Sequence, residues 1–83
     1  MLGVYTIKDK VTEQFMQPIY LHNEDEAKRL FAYQLENTPL WKENAEQFLL
    51  FKTACFDQQT GITIGLNEPD LICKGNDLIS KED

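Results

Sequence analysis

The stretch FLLFKTACFDQQTGITIGL, residues 48–66, decides the fold because it has the pattern of two strands joined by a tight turn. Residues 48–56 are rich in aromatic and aliphatic side chains, which are common in strands. Asp57 and Gly61 bound a run of turn residues, and Ile62, Ile64 and Leu66 then alternate with smaller residues. The stretch therefore predicts a β-hairpin in the middle of the fold.

A first hairpin is predicted before it. Residues 2–8 alternate as a strand does, and residues 15–21 form a second extended run. Pro18 has no backbone N–H to donate, so the second of these strands belongs at a sheet edge or at a bulge. We read this edge as a protected one, although it could also be a docking edge.

Between the hairpins the spacing predicts a helix. Asn23 is a good N-cap, and Glu26 three residues later fits a capping-box-like pattern. Pro39 ends the helix. The side chains that recur at helical spacing and would lie on the sheet are Ala27, Leu30, Phe31, Gln34 and Leu35. We predict an α+β fold in which a four- or five-stranded, mainly antiparallel sheet carries one principal helix on one face.

The chain is short enough for one domain and one modest core. We place this α+β domain at residues 1–74, with a short fifth strand at residues 71–73. Residues 75–83 read as a frayed C-terminal tail in which Leu78 and Ile79 form an anchoring pair.

Charge and composition exclude several classes of protein. The 83 residues include 14 acidic and 8 basic side chains, a net charge of -6, which argues against coating DNA by electrostatics alone. No apolar run approaches the roughly 20 residues of a membrane span, so we predict no membrane association. Cys55 and Cys73 form no CxxC pair, and the start of the chain is not signal-like, so we expect an intracellular protein with two free thiols.

Catalytic chemistry is poorly supplied. His22 is the single histidine and has no serine or cysteine at a recognisable triad spacing. Two distant cysteines and one histidine do not make a zinc site. Asp57 and Gly61 lack the repeated carboxylates of a calcium loop and are better explained as turn residues. We predict that the protein is not an enzyme and holds no metal and no cofactor.

Aromatic residues on the predicted strands suggest a binding surface. The helix covers only one sheet face, and aromatic side chains beside lysines on the other face could stack single-stranded nucleic acid or could meet a second copy of the chain. The net charge is unsuited to high-affinity coating of DNA, so we prefer self-association of this face and predict a homodimer. The candidate DNA- or partner-binding residues on this reading are Tyr5, Lys8, Lys10, Phe51 and Lys52.

The order of VYTIKDK, QFMQPIYL, AKRLF and NAEQFLLFKTACFDQQTGIT resembles the small nonstructural protein of gokushovirus-type microphages, the phage open-reading-frame-five family. The resemblance covers roughly residues 2–72. One departure is Ala45, where the family often has a proline. The positions that match the family pattern are Asp9, Pro18, Ala27, Arg29, Phe31, Glu46, Phe48, Phe56, Asp57, Thr60 and Gly61.

The resemblance implies a noncatalytic phage protein that acts in the bacterial host cytoplasm. Its role would be in replication of the viral single-stranded DNA genome or in the switch to packaging, through contacts with a replication protein or with DNA. Two alternatives stay open, a direct single-stranded DNA-binding protein and a host-directed inhibitor with a DNA-like acidic surface. Among the matched positions, Arg29 could contact a partner or could pair with Asp25 or Glu26.

Overall fold

The computed structural model describes residues 1–79, which form a curled antiparallel sheet with one principal helix on one face. This confirms the predicted fold class. The strands are β1 Leu2–Asp9, β2 Gln14–Phe15, β3 Ile19–Leu21, β4 Phe48–Phe56 and β5 Thr63–Lys74. The helices are α1 Glu24–Asn37, α2 Pro39–Glu43 and α3 Gly75–Leu78, with a 3-10 turn at Ala45–Gln47.

Both hairpins are present, and the sheet joins them through their first strands. β1 pairs with β2 and β3 on one side and with β4 on the other, and β5 forms the far edge. β2 and β3 are two pieces of one extended run, with Pro18 in the gap between them. The Thr6 hydroxyl donates to the carbonyl of Met16 at 2.6 Å and spans this gap. The predicted edge position of Pro18 is therefore confirmed.

Helix α1 begins where the capping residues predicted. The Asn23 side-chain oxygen accepts a hydrogen bond from the Glu26 backbone N–H at 2.9 Å. The Glu26 carboxylate does not complete a capping box, however, because it accepts from the backbone N–H of His22 at 3.0 Å, one residue before the cap. This hydrogen bond lowers the pKa of Glu26. The glutamate thus ties β3 to the start of α1.

The core lies between α1 and one face of the sheet. Ala27, Phe31 and Leu35 are the buried residues of α1, and they belong to one cluster with sheet side chains that include Phe48 and Leu50. Trp41 of α2 stacks on the Phe48 ring at 4.3 Å between centroids and covers this edge of the core.

The first residues of the predicted tail are part of the packed domain. Residues 75–78 form α3, and Ile79 is buried in the core cluster at 8% exposure. The anchoring role expected for Ile79 is thus met, and the packed domain extends to residue 79 because this side chain supplies apolar contact. The rest of the predicted tail, residues 80–83, lies outside the described residues.

The second hairpin turns as predicted. The Asp57 carboxylate accepts a hydrogen bond from the backbone N–H of Gln59 at 2.9 Å, and this hydrogen bond lowers the pKa of Asp57. Gly61 has a φ of 76°. The short fifth strand predicted at residues 71–73 is instead the end of β5, which is irregular where the register passes from Lys52↔Asp70 to Ala54↔Gly65. Asp57 and Gly61 are therefore turn-forming residues.

Replacing Gly61 by alanine should lower the free energy of unfolding by about 1–2 kcal/mol, because an L-residue is disfavoured at positive φ. A Cβ at Gly61 meets no atom within 4 Å, so the effect is conformational and not a collision. Gly65→Ala is the matched control, since a Cβ at Gly65 also meets no atom within 4 Å and the φ of Gly65 lies outside the left-handed region. Urea unfolding of both variants measures the difference, and equal effects would contradict the prediction.

Candidate functional site

The sheet face that points away from α1 is exposed and rich in aromatic side chains. Side chains alternate along a strand, so Tyr5, Ile7 and Leu50 face the helix while their neighbours face the other way. We call this second surface the open face. Its large side chains are Lys8, Phe15, Tyr20, Leu49, Phe51, Phe56, Leu71 and Lys74.

Four aromatic rings form two edge-to-face pairs on the open face. Phe15 and Phe51 have ring centroids 5.3 Å apart, and Tyr20 and Phe56 have centroids 5.5 Å apart. Phe15 is 43% exposed and Tyr20 is 50% exposed, so both offer ring surface to solvent. Beneath the rings, Val4, Thr6 and Ala54 are buried. Edge-to-face contact between neighbouring rings restrains their orientation, so the rings form a preorganised surface.

Lysines border these rings. The Lys8 ammonium lies 5.4 Å from the centroid of the Phe15 ring. Lys74 pairs with Leu49 at the other side of the sheet. The two acidic residues at paired strand positions, Asp9 and Asp70, lie opposite Phe48 and Lys52 on the helix side. Among the paired strand positions of residues 1–79, the open face therefore carries positive charge only, although the chain is acidic.

A shallow depression adjoins the aromatic surface. It has a volume of about 200 Å³ and lies between the broken edge strand and the irregular part of β5. Its walls come from Thr6, Phe15, Met16, Pro18, Thr53 and Pro69. A flat apolar group held against the Phe15 ring could extend into this space.

The predicted candidate residues do not share one surface. Lys8 and Phe51 lie on the open face, whereas Tyr5 is buried beneath α1 at 3% exposure. Burial raises the pKa of Tyr5. A Cβ at Gly3 would lie 2.5 Å from the Tyr5 ring, so the tyrosine fills the space that the glycine leaves. Tyr5 is thus a core residue of the structure, and a direct binding role for it does not fit its burial.

Lys52 also lies on the helix side. It pairs with Tyr5 in the sheet register and lines a depression with Glu24 and Asp25 at the start of α1. Acidic neighbours and the negative potential they create disfavour a phosphate at this point. The structure therefore separates Lys52 from Phe51, although the two are adjacent in the chain.

The two remaining candidates are exposed on other elements. Lys10 lies in the turn after β1, where its backbone N–H donates to the carbonyl of Gln47 at 2.8 Å. Arg29 is exposed on α1. Its expected ion pair with Asp25 or Glu26 is absent from the described residues, where the ion pairs are His22 with Glu26 and Lys42 with Glu36. Neither Lys10 nor Arg29 occupies a paired strand position, so neither belongs to the open face as defined above.

Sequence reasoning left several open-face residues out of the candidate set. Phe15, Tyr20 and Phe56 were visible as strand aromatics, but only the pairing register shows which of them share a face. Lys74 was placed after the short strand predicted at residues 71–73, at the end of the domain, whereas it is the last residue of β5. The signal that could have identified these residues is the alternation of side chains along two antiparallel strands, once the pairing of those strands is known.

Metal ligands and thiols are the other reactive side chains to consider within residues 1–79. Within that range, no three His, Cys, Asp or Glu side chains come together as metal ligands would. Cys55 and Cys73 are free, and burial raises the pKa of the Cys73 thiol, so this thiol is a poor nucleophile. Of the helices in the same range, none has the length and apolar character that crossing a membrane requires.

Comparison with known proteins gives one family. The model of the family described as Phage ORF5 protein matches residues 2–78, which is nearly the whole chain. Neither the curated proteins nor the solved structures give a match.

Proposed function

Since the chain belongs to the phage ORF5 protein family, we propose that it is a noncatalytic accessory protein for replication of a viral single-stranded DNA genome. It would act in the cytoplasm of the bacterial host, at replication or at the switch to packaging. Within this role, the open face holds single-stranded DNA, and the protein works as a homodimer. A replication protein is a further proposed partner.

The observation that carries the proposal is the joint presence of aromatic rings and lysines on the open face. Bases of single-stranded DNA stack on aromatic side chains exposed on sheets, and lysines beside the rings neutralise phosphates. Phe15 and Phe51 are in contact on the open face, and Lys8 lies against the Phe15 ring. This arrangement suits unpaired bases, because duplex DNA keeps its base faces stacked within the helix.

The net charge of -6 does not oppose this use of the open face. Two exposed acidic residues, Glu24 and Asp25, stand at the start of α1 on the helix side of the molecule. Screening at physiological salt limits electrostatic reach to about 8 Å, so acids beyond the sheet act weakly on a strand bound to the open face. We expect modest affinity with base stacking as a large part of it.

A titration of labelled oligonucleotide by fluorescence anisotropy across a salt series tests the proposal. We expect saturable binding of a single-stranded oligonucleotide and weaker binding of the matching duplex. A Kd above about 100 μM at low salt would contradict direct DNA binding, because even non-specific binding is usually tighter than this at physiological salt and strengthens as salt falls. Preference for duplex would contradict the role of the aromatic rings.

Replacing Lys8 and Lys74 together by glutamine should reduce the slope of log K against log salt by about 1.4, since each lost phosphate contact on a single strand changes it by about 0.7. Lys42→Gln is the matched control, because Lys42 lies on α2 and pairs with Glu36 at 3.2 Å. The same anisotropy titration at four salt concentrations gives both slopes. An unchanged slope in the double variant would mean that neither lysine contacts a phosphate of the bound strand.

The acidic start of α1 favours a second candidate function, a host-directed inhibitor whose surface resembles DNA. Glu24 and Asp25 are exposed in the first turn, and Glu26 stands next to them. Such a protein would compete with DNA for a host protein and would not bind oligonucleotides itself. The anisotropy titration separates the two functions, since a phosphate-like acidic surface predicts no binding at any salt concentration.

A further inference from the structure

One edge of the sheet is long and carries exposed apolar side chains. Among residues 1–79, no strand pairs with the outer side of β5, which runs from Thr63 to Lys74. Three alternating residues, Ile62 just before β5 and Ile64 and Leu66 at its start, are 57%, 56% and 38% exposed. We call them the distal stripe. An unpaired edge with apolar residues is a template for another strand, and proteins normally cover or interrupt such edges.

The opposite edge of the sheet is protected in the usual way. It consists of β2 and β3, which are two and three residues long and are separated by the segment that contains Pro18. Short edge strands and proline both discourage further pairing. β5 is a long strand whose proline, Pro69, lies beyond the distal stripe, so the start of β5 is the part of this edge that remains available.

We infer that the distal stripe pairs with the same segment of a second copy, as antiparallel strands across a two-fold axis at Ile64. This rests on the homodimer in the proposed function and names its surface. In this register Ile64 meets Ile64 of the second copy, and Ile62 lies opposite Leu66. The segment is therefore self-complementary, as a two-fold interface between identical surfaces requires. On the other side of the strand, Thr63 lies opposite Gly65, and both are small.

The charges along β5 favour this register over one centred farther along the strand. Pairing centred on Pro69 would place Glu68 opposite Asp70 of the second copy, and like charges directly opposite are destabilising. Pro69 also lacks a backbone donor. With the axis at Ile64, the two acids lie towards Thr60 and Gln58 of the second copy, which are uncharged. The distal stripe is thus the part of the edge that can meet itself without repulsion.

Sedimentation equilibrium of the wild-type chain and of Ile64→Lys tests the interface. We expect the wild type to associate to twice its 9.7 kDa mass. The lysine should raise the dimer Kd at least about tenfold, because it removes an isoleucine of each copy from the interface and places two like charges at the axis. Leu71→Lys is the control, since Leu71 is 45% exposed on the same strand but lies outside the distal stripe. Both residues are largely exposed, and circular dichroism verifies that the variants fold.

Oxidative cross-linking gives a second readout. Ile64→Cys on the axis should form a disulfide-linked dimer, whereas Leu71→Cys should not. Both are made with Cys55→Ser and Cys73→Ser, because Cys55 pairs with Ile64 on the neighbouring strand and would capture the new thiol within one chain.

The outcomes separate this inference from the proposed function. A dimer that neither cross-links at Ile64 nor responds to Ile64→Lys overturns the inferred interface and leaves the homodimer in place. A wild-type monomer at high micromolar concentration overturns both. Oligonucleotide binding by the open face is measured independently, and we expect Ile64→Lys to retain it per chain.

Discussion

Replacing Phe31 by alanine is expected to lower the free energy of unfolding by about 3–5 kcal/mol, the range for removing a buried aromatic ring from a core. Phe31 is 1% exposed and lies in the cluster that joins α1 to the sheet. A domain of this size has only about 5–15 kcal/mol of stability, so the variant loses a large part of it. Urea unfolding monitored by the fluorescence of Trp41 measures the change.

Tyr33→Ala on the same helix is the matched control for Phe31→Ala. Tyr33 is 64% exposed, so its removal costs little burial, and exposed substitutions usually change stability by less than about 0.5 kcal/mol. Both substitutions replace an aromatic residue by alanine within α1, so helix propensity contributes equally to each. Similar losses in the two variants would mean that α1 does not cover the core through Phe31.

Local features of the fold could be predicted because short-range chemistry determines them. Asn23 caps α1 through a hydrogen bond to a backbone three residues away, and Asp57 with Gly61 forms a turn within five residues. Each of these contacts joins residues that are close together in the sequence, so it does not depend on which strands are neighbours in the sheet. The hairpin order and the helix followed from the same kind of pattern.

The two faces of the sheet could not be assigned in this way. β1 is a central strand in which the consecutive residues Val4, Tyr5 and Thr6 are all buried, so alternation of polar and apolar residues does not reveal the side on which α1 packs. The sheet register adds a further difficulty, because it shifts between Val4 and Tyr5 and skips Thr53. A bulge exchanges the faces of the residues that follow it.

The candidate site was therefore predicted in part. Phe51 and Lys8 share the open face because Thr6↔Phe51 and Lys8↔Leu49 pair within the regular part of the register. Lys52 was grouped with Phe51 as a chain neighbour, although adjacent strand residues point to opposite faces. Phe15 joins the surface through its pairing with Lys8, a long-range contact that depends on how the first hairpin closes. The pairing of residues that are far apart in the chain could not be predicted from the sequence.

Replacing Phe51 by alanine is expected to weaken binding of a single-stranded oligonucleotide about 5- to 150-fold. This range corresponds to the roughly 1–3 kcal/mol measured for one base stacked on an aromatic side chain. Phe51 lies on β4 between its partners on β1 and β5, and its ring restrains that of Phe15 at 5.3 Å. Its removal takes away one stacking surface and loosens another. Anisotropy titration at fixed salt measures the loss.

The salt dependence distinguishes stacking from charge in this variant. Phe51→Ala removes no phosphate contact, so the slope of log K against log salt should stay at the wild-type value while the affinity falls. Phe51→Trp keeps an aromatic face at the same position and should retain most of the affinity. Tyr33→Ala, an exposed aromatic on the helix side, should bind as the wild type does. Loss of affinity in Tyr33→Ala, or no loss in Phe51→Ala, would place DNA elsewhere than on the open face.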